Sequence, residues 1–311
     1  MSTLHRGKRV LFMGTPDYAT AIFEVLLASK YEIIGLFTQP DKPVGRKQIL
    51  TPPHIKQYCL DNALNLPIFQ PLRLRNNSEA TEQIKELNPD FIIVAAYGQI
   101  LPKEILEIAP CINLHASLLP KYRGASPIQE SLLNDDEFTG VTSMLMEEGL
   151  DTGDILGLEY LKITSTMEVA QAFNELSKIA ASLTIKTLDK FETIMPKKQN
   201  DALSSLCKKI KKEHGEVAFK NAKKLYQTYK AYSYWPGVFL NSGLKLKDIS
   251  LADETSVNSE GEILEMGSDF VKVGCLKGAL IIKTLQAPSK KAVSSVDYIR
   301  GQRFEVGSIL E

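Results

Sequence analysis

The sequence predicts an α/β chain of two domains: a Rossmann-like, mainly parallel sheet first, and a smaller β-barrel after it. Three observations carry this expectation. The first part alternates continuous apolar runs with stretches of helical period, the pattern of a parallel sheet covered on both faces. A polar, lysine-rich stretch then breaks the pattern. Beyond it, short strand-like runs recur with turn signals between them, as in a small antiparallel barrel. At 311 residues two domains are also the expected number. The boundaries are placed at 1–195 for the first domain, 196–213 for a basic linker and 214–311 for the second domain.

Taken in order, Arg9 to Met13 reads as a buried strand and Gly14-Thr15-Pro16-Asp17 as a turn. A helix follows in which Ala19, Ile22, Phe23 and Leu26 share one face. Ile33 to Phe37, Phe91 to Ala96 and Cys111 to His115 read as further strands, the middle one introduced by Asn88-Pro89-Asp90. Gly140 to Met146 and Ile155 to Ile163 complete the set. Ser165 with Glu168 has the spacing of a capping box. It predicts a long helix with Val169, Ala172, Phe173, Leu176, Ile179, Ala180 and Leu183 as its apolar stripe, stopping before Met195-Pro196. Past the linker, a short helix is expected near Ala222 to Tyr229. Strands are expected at 238–240, 244–249, 262–266, 270–275 and 279–285.

Composition narrows the function. No apolar run reaches the ~20 residues of a membrane span, and the start of the chain lacks the core of a signal peptide, so a cytoplasmic protein that does not engage membranes is expected. The four cysteines, Cys59, Cys111, Cys207 and Cys275, have neither disulfide nor zinc-ligand spacing. Lys+Arg and Asp+Glu balance at 37 each, but unevenly: residues 1–206 carry 20 basic and 25 acidic side chains, and 207–311 carry 17 and 12. Nine lysines and three acids lie between Lys197 and Lys224. Such a stretch is either a solvated linker or a stripe for a polyanion.

The chemistry-bearing residues fall at strand ends. Asn113 and His115 are two apart on one strand, so they project to the same side, beyond the carboxyl edge where open α/β sheets bind ligands. A loop shaped by Pro120 and Gly124 follows. Gly149-Leu150-Asp151-Thr152-Gly153 is a glycine-bounded turn that presents Asp151. Singly, each residue has an ordinary explanation: a packed histidine, a turn aspartate, and in Cys111 a buried inert thiol. Together they supply a carboxamide, an imidazole and a carboxylate, the parts needed to move a formyl group between amines. Asn113 is suited to stabilise a tetrahedral oxyanion, His115 to handle protons, and Asp151 to orient the imidazole or a water. None of this requires a metal. Gly14-Thr15-Pro16-Asp17-Tyr18-Ala19 lacks G-x-G-x-x-G, so the sheet is not read as a dinucleotide site.

Asn113-Leu114-His115, Ser117-Leu118-Leu119-Pro120-Lys121-Tyr122-Arg123-Gly124 and Asp151 together resemble the signature of 10-formyltetrahydrofolate-dependent formyltransferases. The resemblance implies a catalytic Asn113–His115–Asp151 triad, and a folate contact at Ser117, Leu118, Leu119 and Pro120, with 10-formyltetrahydrofolate as formyl donor. Phe12-Met13-Gly14-Thr15-Pro16-Asp17 and the loop Gln39-Pro40-Asp41-Lys42-Pro43-Val44-Gly45-Arg46-Lys47 resemble those of methionyl-tRNA formyltransferases. In that family the loop enters the acceptor stem, which implies a tRNA contact at Arg46; a Pro/Gly-rich loop that also carries Lys42 and Lys47 suits a phosphate-lined substrate, so all three are expected to contact the tRNA. Tyr234-Trp235-Pro236-Gly237 resembles the opening of the family's C-terminal OB-like barrel, with Trp235 expected as a core anchor. Lys208, Lys209, Lys211 and Lys212 are expected to lie along the tRNA.

The implied activity is formylation of initiator methionyl-tRNA by a monomer. Two alternatives stay open: transfer to a small amine such as an amino-sugar nucleotide or glycinamide ribonucleotide, and hydrolysis of the formylfolate. A tRNA-binding module without catalysis is a further reading, which the intact triad disfavours. Glu213-His214-Gly215-Glu216-Val217-Ala218-Phe219 stands where the family often has Asp-Gly-x-Ile-Asp-Trp, so barrel contacts near 208–219 are left open.

Overall fold

The computed structural model describes residues 7–45 and 47–311. They form two compact units. The first runs to Pro127 and adds Phe138–Lys162 and Phe173–Cys207; the second gathers Ile128–Glu137, Ile163–Ala172 and Lys208–Glu311. Among the described residues no helix is long and apolar enough to cross a membrane.

The chain opens with β1 (Arg9–Gly14), α1 (Asp17–Leu27) and β2 (Glu32–Phe37), followed by a hairpin of β3 (Lys42–Val44) and β4 (Ile49–Thr51). Then come α2 (His54–Asp61), β5 (Ile68–Phe69), α3 (Ser78–Leu87), β6 (Phe91–Ala95), α4 (Lys103–Leu106), β7 (Cys111–His115) and β8 (Arg123–Gly124). After α5 (Pro127–Leu133) follow β9 (Phe138–Leu145), β10 (Ile155–Lys162), α6 (Val169–Lys190) and β11 (Leu206–Cys207).

Seven strands make the main sheet of the first unit, in the order β10-β9-β7-β6-β1-β2-β5. The five from β7 to β5 are parallel; β9 runs antiparallel to β7, and β10 antiparallel to β9. Burial explains the arrangement. Val10, Leu11, Phe12 and Met13 are fully buried, as are Ile92, Ile93 and Ile112, so both faces of these strands need a cover. Each such side chain contributes about 1.5–3 kcal/mol on burial. On α1, Ala19, Ile22, Phe23 and Leu26 are fully buried, which makes it one of the covering helices. Its Tyr18 hydroxyl also donates to the Leu114 carbonyl (3.3 Å) on β7.

Several expectations shift. α6 starts at Val169, and the residue before it, Glu168, donates its backbone N–H to Gln171 Oε1 (3.2 Å). The Gln171 carboxamide satisfies the entry of the helix, so Ser165 is not its cap. The stretch 39–47 is not a plain loop, because Lys42 to Val44 pairs with Ile49 to Thr51. Residues 196–207 group with the first unit, although most of them are exposed. Lys197 exchanges two backbone hydrogen bonds with Ile155 (2.8 and 2.9 Å), and β11 pairs with β8.

In the second unit α7 (Ala222–Tyr232) precedes β12 (Val238–Phe239), β13 (Lys245–Asp253), β14 (Ile263–Met266), β15 (Val271–Gly274), β16 (Ala279–Gln286), β17 (Val293–Ser294) and α8 (Ser295–Gly301). The strands pair antiparallel in the order β12-β13-β16-β15-β14, with β17 added to β16. The strand-rich antiparallel architecture follows the expected spacing. One apolar core holds it, including Leu225, Ile249, Ile263, Val273, Leu280, Ile282 and Leu285. Phe219 lies in this core, filling with an apolar ring a position where the family often carries tryptophan. Trp235, expected as a core anchor, is instead half exposed, and its neighbour Tyr234 is 88% exposed. The turn after α7 places both aromatic rings outside the core.

Candidate active site

The parallel strands β1, β2, β6 and β7 end on one rim of the sheet. β7 carries Asn113 and His115 to that rim, both buried. Asp151 reaches them from the turn that links β9 to β10. Its Oδ1 accepts from Asn113 Nδ2 (3.3 Å), and its Oδ2 lies 3.6 Å from His115 Nδ1. Oδ2 also accepts the Gly124 backbone N–H (2.8 Å). The three side chains singled out in the sequence, 38 and 36 residues apart in the chain for the two pairs with Asp151, thus meet around one carboxylate.

The histidine geometry fixes a proton. Nε2 lies 2.9 Å from the Tyr122 carbonyl. A carbonyl can only accept, so Nε2 carries the hydrogen and donates it. Nδ1, facing Asp151, is then the nitrogen free to take or give a proton.

Local backbone makes this possible. Asp151 has φ of 53°, in the left-handed region that aspartate tolerates better than most residues. Gly124 has φ of 119°, and a Cβ there would collide with the Cys207 carbonyl on β11. Only glycine combines that conformation with the close strand approach while offering its N–H to Asp151. At Gly153 a Cβ would likewise collide, with the Leu145 carbonyl.

The Ser117–Pro120 loop is pinned from within. Ser117 Oγ donates to the Lys121 carbonyl (2.6 Å), Thr142 Oγ1 donates to the Ser117 carbonyl (2.6 Å), and the Leu119 N–H donates to Thr142 Oγ1 (3.0 Å). The Leu119–Pro120 peptide is cis. Ser117 and Leu119 are buried, whereas Leu118 and Pro120 are partly exposed. The first two therefore shape the loop, and the last two offer an apolar edge beside the triad strand.

Other expected residues sit elsewhere. Lys42 and Lys47 are exposed on the β3–β4 hairpin; Arg46 lies outside the described residues. The hairpin base is tied down by Lys56, whose Nζ donates to both Asp41 oxygens (2.9 Å each) and to Gln70 Oε1 (2.7 Å). Gln70 and Lys56 hold the Asp41 carboxyl below its usual range. Lys208, Lys209, Lys211 and Lys212 are exposed in the second unit, with Lys211 3.6 Å from Glu213. Cys111 stays inert: burial pushes its thiol up to about 12. Among the described residues no group of three or more His, Cys, Asp or Glu could hold a metal ion.

Sequence reasoning missed the Tyr122 carbonyl and the Gly124 amide, which are backbone atoms without a side-chain signal. It also missed Gln199. That side chain accepts from Arg123 Nε and Nη2 (3.0 and 2.8 Å) and donates to the carbonyls of Asp151 and Gly153 (2.8 Å each).

Known proteins are similar to this chain along nearly its whole length. The formyl transferase family profile matches residues 8–188, and the formyl transferase C-terminal domain matches 209–303. A methionyl-tRNA formyltransferase of Nitratiruptor sp. is 56% identical over 96% of this chain and 98% of its own. That of Wolinella succinogenes is 54% identical over 97% and 99%. Among solved structures, an N-formyltransferase from Helicobacter canadensis, in complex with folinic acid and dTDP-3-aminofucose, superposes with a TM-score of 0.67 at 18% identity, over 90% of this chain and 100% of its own. The chain belongs to the formyl transferase family, among the methionyl-tRNA formyltransferases.

Proposed function

We propose that this protein transfers a formyl group from 10-formyltetrahydrofolate to the amino group of methionine on initiator tRNA, with Asn113, His115 and Asp151 as its catalytic residues. The observation that carries this reading is the convergence of a carboxamide and an imidazole on the Asp151 carboxylate, at 3.3 and 3.6 Å, on the ligand-binding rim of the sheet.

The donor supplies an activated formyl carbon bound to nitrogen. Its fit rests on the partly exposed Leu118 and Pro120, which present an apolar edge to a flat ring, beside backbone held rigid by Thr142. Asn113 has the second hydrogen of its Nδ2 to offer a developing oxyanion, the kind of preorganised donor whose loss costs about 100-fold or more. His115 Nδ1 accepts the proton that the attacking amine must lose and is placed to return one to the departing nitrogen. The Tyr122 carbonyl holds the ring in the tautomer that leaves Nδ1 open, and the Asp151 carboxylate facing that nitrogen offsets the charge the ring gains as it takes the proton. An α-amino group titrates near pH 8, so a useful fraction attacks at neutral pH without a stronger base.

Acceptor choice rests on charge. The β3–β4 hairpin exposes Lys42 and Lys47, Arg46 stands beside Lys47 in the sequence, and the second unit exposes Lys208, Lys209, Lys211 and Lys212. Basic side chains of this kind supply affinity for nucleic-acid phosphates. The deciding assay combines 10-formyltetrahydrofolate with charged initiator tRNA, beside acceptor-free and elongator-tRNA controls. Formyl-methionyl-tRNA is expected as product. Formate released at the same rate without acceptor, or formylation of a small amine alone, contradicts the reading.

A further inference from the structure

Gln199 lies outside the triad, in the segment whose composition resembles a linker, yet both ends of its carboxamide are engaged. Oε1 accepts from Nε and Nη2 of Arg123, and Nε2 donates to the carbonyls of Asp151 and Gly153, all between 2.8 and 3.0 Å. Arg123 is 6% exposed, and its remaining partner is Asp201 at 2.7 Å. One planar group therefore joins the two loops that meet at Asp151. The first loop supplies the Tyr122 carbonyl to His115 and the Gly124 N–H to Asp151. The second carries Asp151 itself in its left-handed conformation.

The segment does not need Gln199 to stay in place. Lys197 is paired with Ile155 through two backbone hydrogen bonds, Ser205 N–H donates to the Pro120 carbonyl (3.3 Å), and β11 pairs with β8. The carboxamide is thus free for a local task. A side chain of this length that presents an acceptor to a guanidinium and two N–H groups to carbonyls must be glutamine, because glutamate has no donor when ionised.

We propose that Gln199 is a positioning residue for the transfer: by holding the Asp151 and Gly153 carbonyls while anchored on Arg123, it sets the Asp151 carboxylate against Asn113 and His115. This inference rests on the formyl-transfer reading of the triad. Residues that orient a working side chain through hydrogen bonds can cost 10–100-fold when altered, as they do behind metal ligands.

Gln199→Glu separates positioning from strut. The carboxylate keeps and strengthens its bonds to Arg123 but turns an acceptor toward two carbonyls. Kinetics with 10-formyltetrahydrofolate and methionyl-tRNA, with thermal unfolding alongside, are expected to show kcat reduced about 10–100-fold, both KM values within about twofold, and a smaller loss of Tm than in Gln199→Ala, because the bonds to Arg123 are kept. The deficit relative to wild type should narrow as pH falls toward the carboxylate range, since the introduced carboxyl regains one donor once protonated. Gln199→Ala should lose both kcat and Tm. A Gln199→Glu variant with wild-type kcat and a superimposable pH profile, or with its loss confined to KM for tRNA, overturns the inference while leaving the triad reading intact. A wild-type protein that leaves methionyl-tRNA unformylated overturns that reading, and this inference with it.

Discussion

The triad rim and the β3–β4 hairpin both follow parallel strands of the same sheet, yet they are built in opposite ways. At the rim, Asn113 and His115 are 9% and 7% exposed, and the polar groups that meet at Asp151 are partnered within the fold. On the hairpin, Val44, Ile49 and Leu50 are 56–64% exposed, and a Cβ added at Gly45 would meet nothing within 4 Å. Its base is fixed by the Asp41–Lys56–Gln70 cluster. The contrast fits the two jobs proposed for these regions. Chemistry on one carbon needs atoms held to within fractions of an ångström. Recognition of a large polyanion needs charge and reach, and the partner itself can complete the surface.

This comparison can be broken by substitution. At the rim, loss should appear in kcat. Asp151→Asn keeps the side-chain shape but removes the charge facing His115 Nδ1, and kcat should fall by about 10³-fold or more, as when a triad acid is amidated. Asn113→Ala should lower kcat by about 100-fold; near-normal turnover in either variant would remove that residue from its role. Gly124→Ala should affect fold and rate together. The new Cβ meets the Cys207 carbonyl and the φ is unfavourable, so a stability loss of about 1–3 kcal/mol should accompany reduced kcat in denaturant and kinetic measurements.

On the hairpin, loss should appear in KM for tRNA. Arg46→Ala and Lys56→Ala should each weaken use of methionyl-tRNA while folate affinity, measured by direct titration, stays unchanged. Equal loss of folate affinity would merge the two regions into one site. The Lys56 cluster also has a pH signature. Because Asp41 is held below the usual carboxylate range, its contribution is fully present above that range and is lost only as pH falls through the lowered value. KM for tRNA should therefore show no step from this cluster between about pH 5 and 8, a window bounded by ordinary carboxylate titration. The smallest effect belongs to the second unit: neutralising Lys208, Lys209, Lys211 and Lys212 should flatten the slope of log affinity against log salt, and an unchanged slope would place them away from phosphate.

The same contrast explains what could be read from the sequence. β7 is legible to the residue, Cys111 to His115, because a fully buried strand must be a continuous apolar run with its polar members at the working end. The helix α3 was not, since only Ala80, Thr81 and Ile84 are buried along it and its start is marked by a lone Asn77 cap accepting from Ala80 N. α2 hides behind Pro52-Pro53, residues that read as breakers but are tolerated ahead of a first helical turn. The triad was visible because its parts are side chains of distinctive chemistry. Its supports were not. Tyr122 and Gly124 act through backbone atoms, and Gln199 sits 48 residues from Asp151 in a segment whose lysines suggested solvent. Trp235 misled for a related reason: a single tryptophan beside a strand-rich region suggests a core, whereas the observed core closes around aliphatic residues with Phe219 and Tyr229.

The most direct test of the account is single-turnover formylation of methionyl-tRNA by the Asp151→Asn variant, with both substrates saturating and both affinities measured separately. A fall in the transfer rate of about 10³-fold or more, with tRNA and folate binding within about twofold of wild type, is the result predicted for a carboxylate that acts in the transfer step and not in binding either substrate. Transfer at the wild-type rate, or a deficit that vanishes once substrate is saturating, would contradict it.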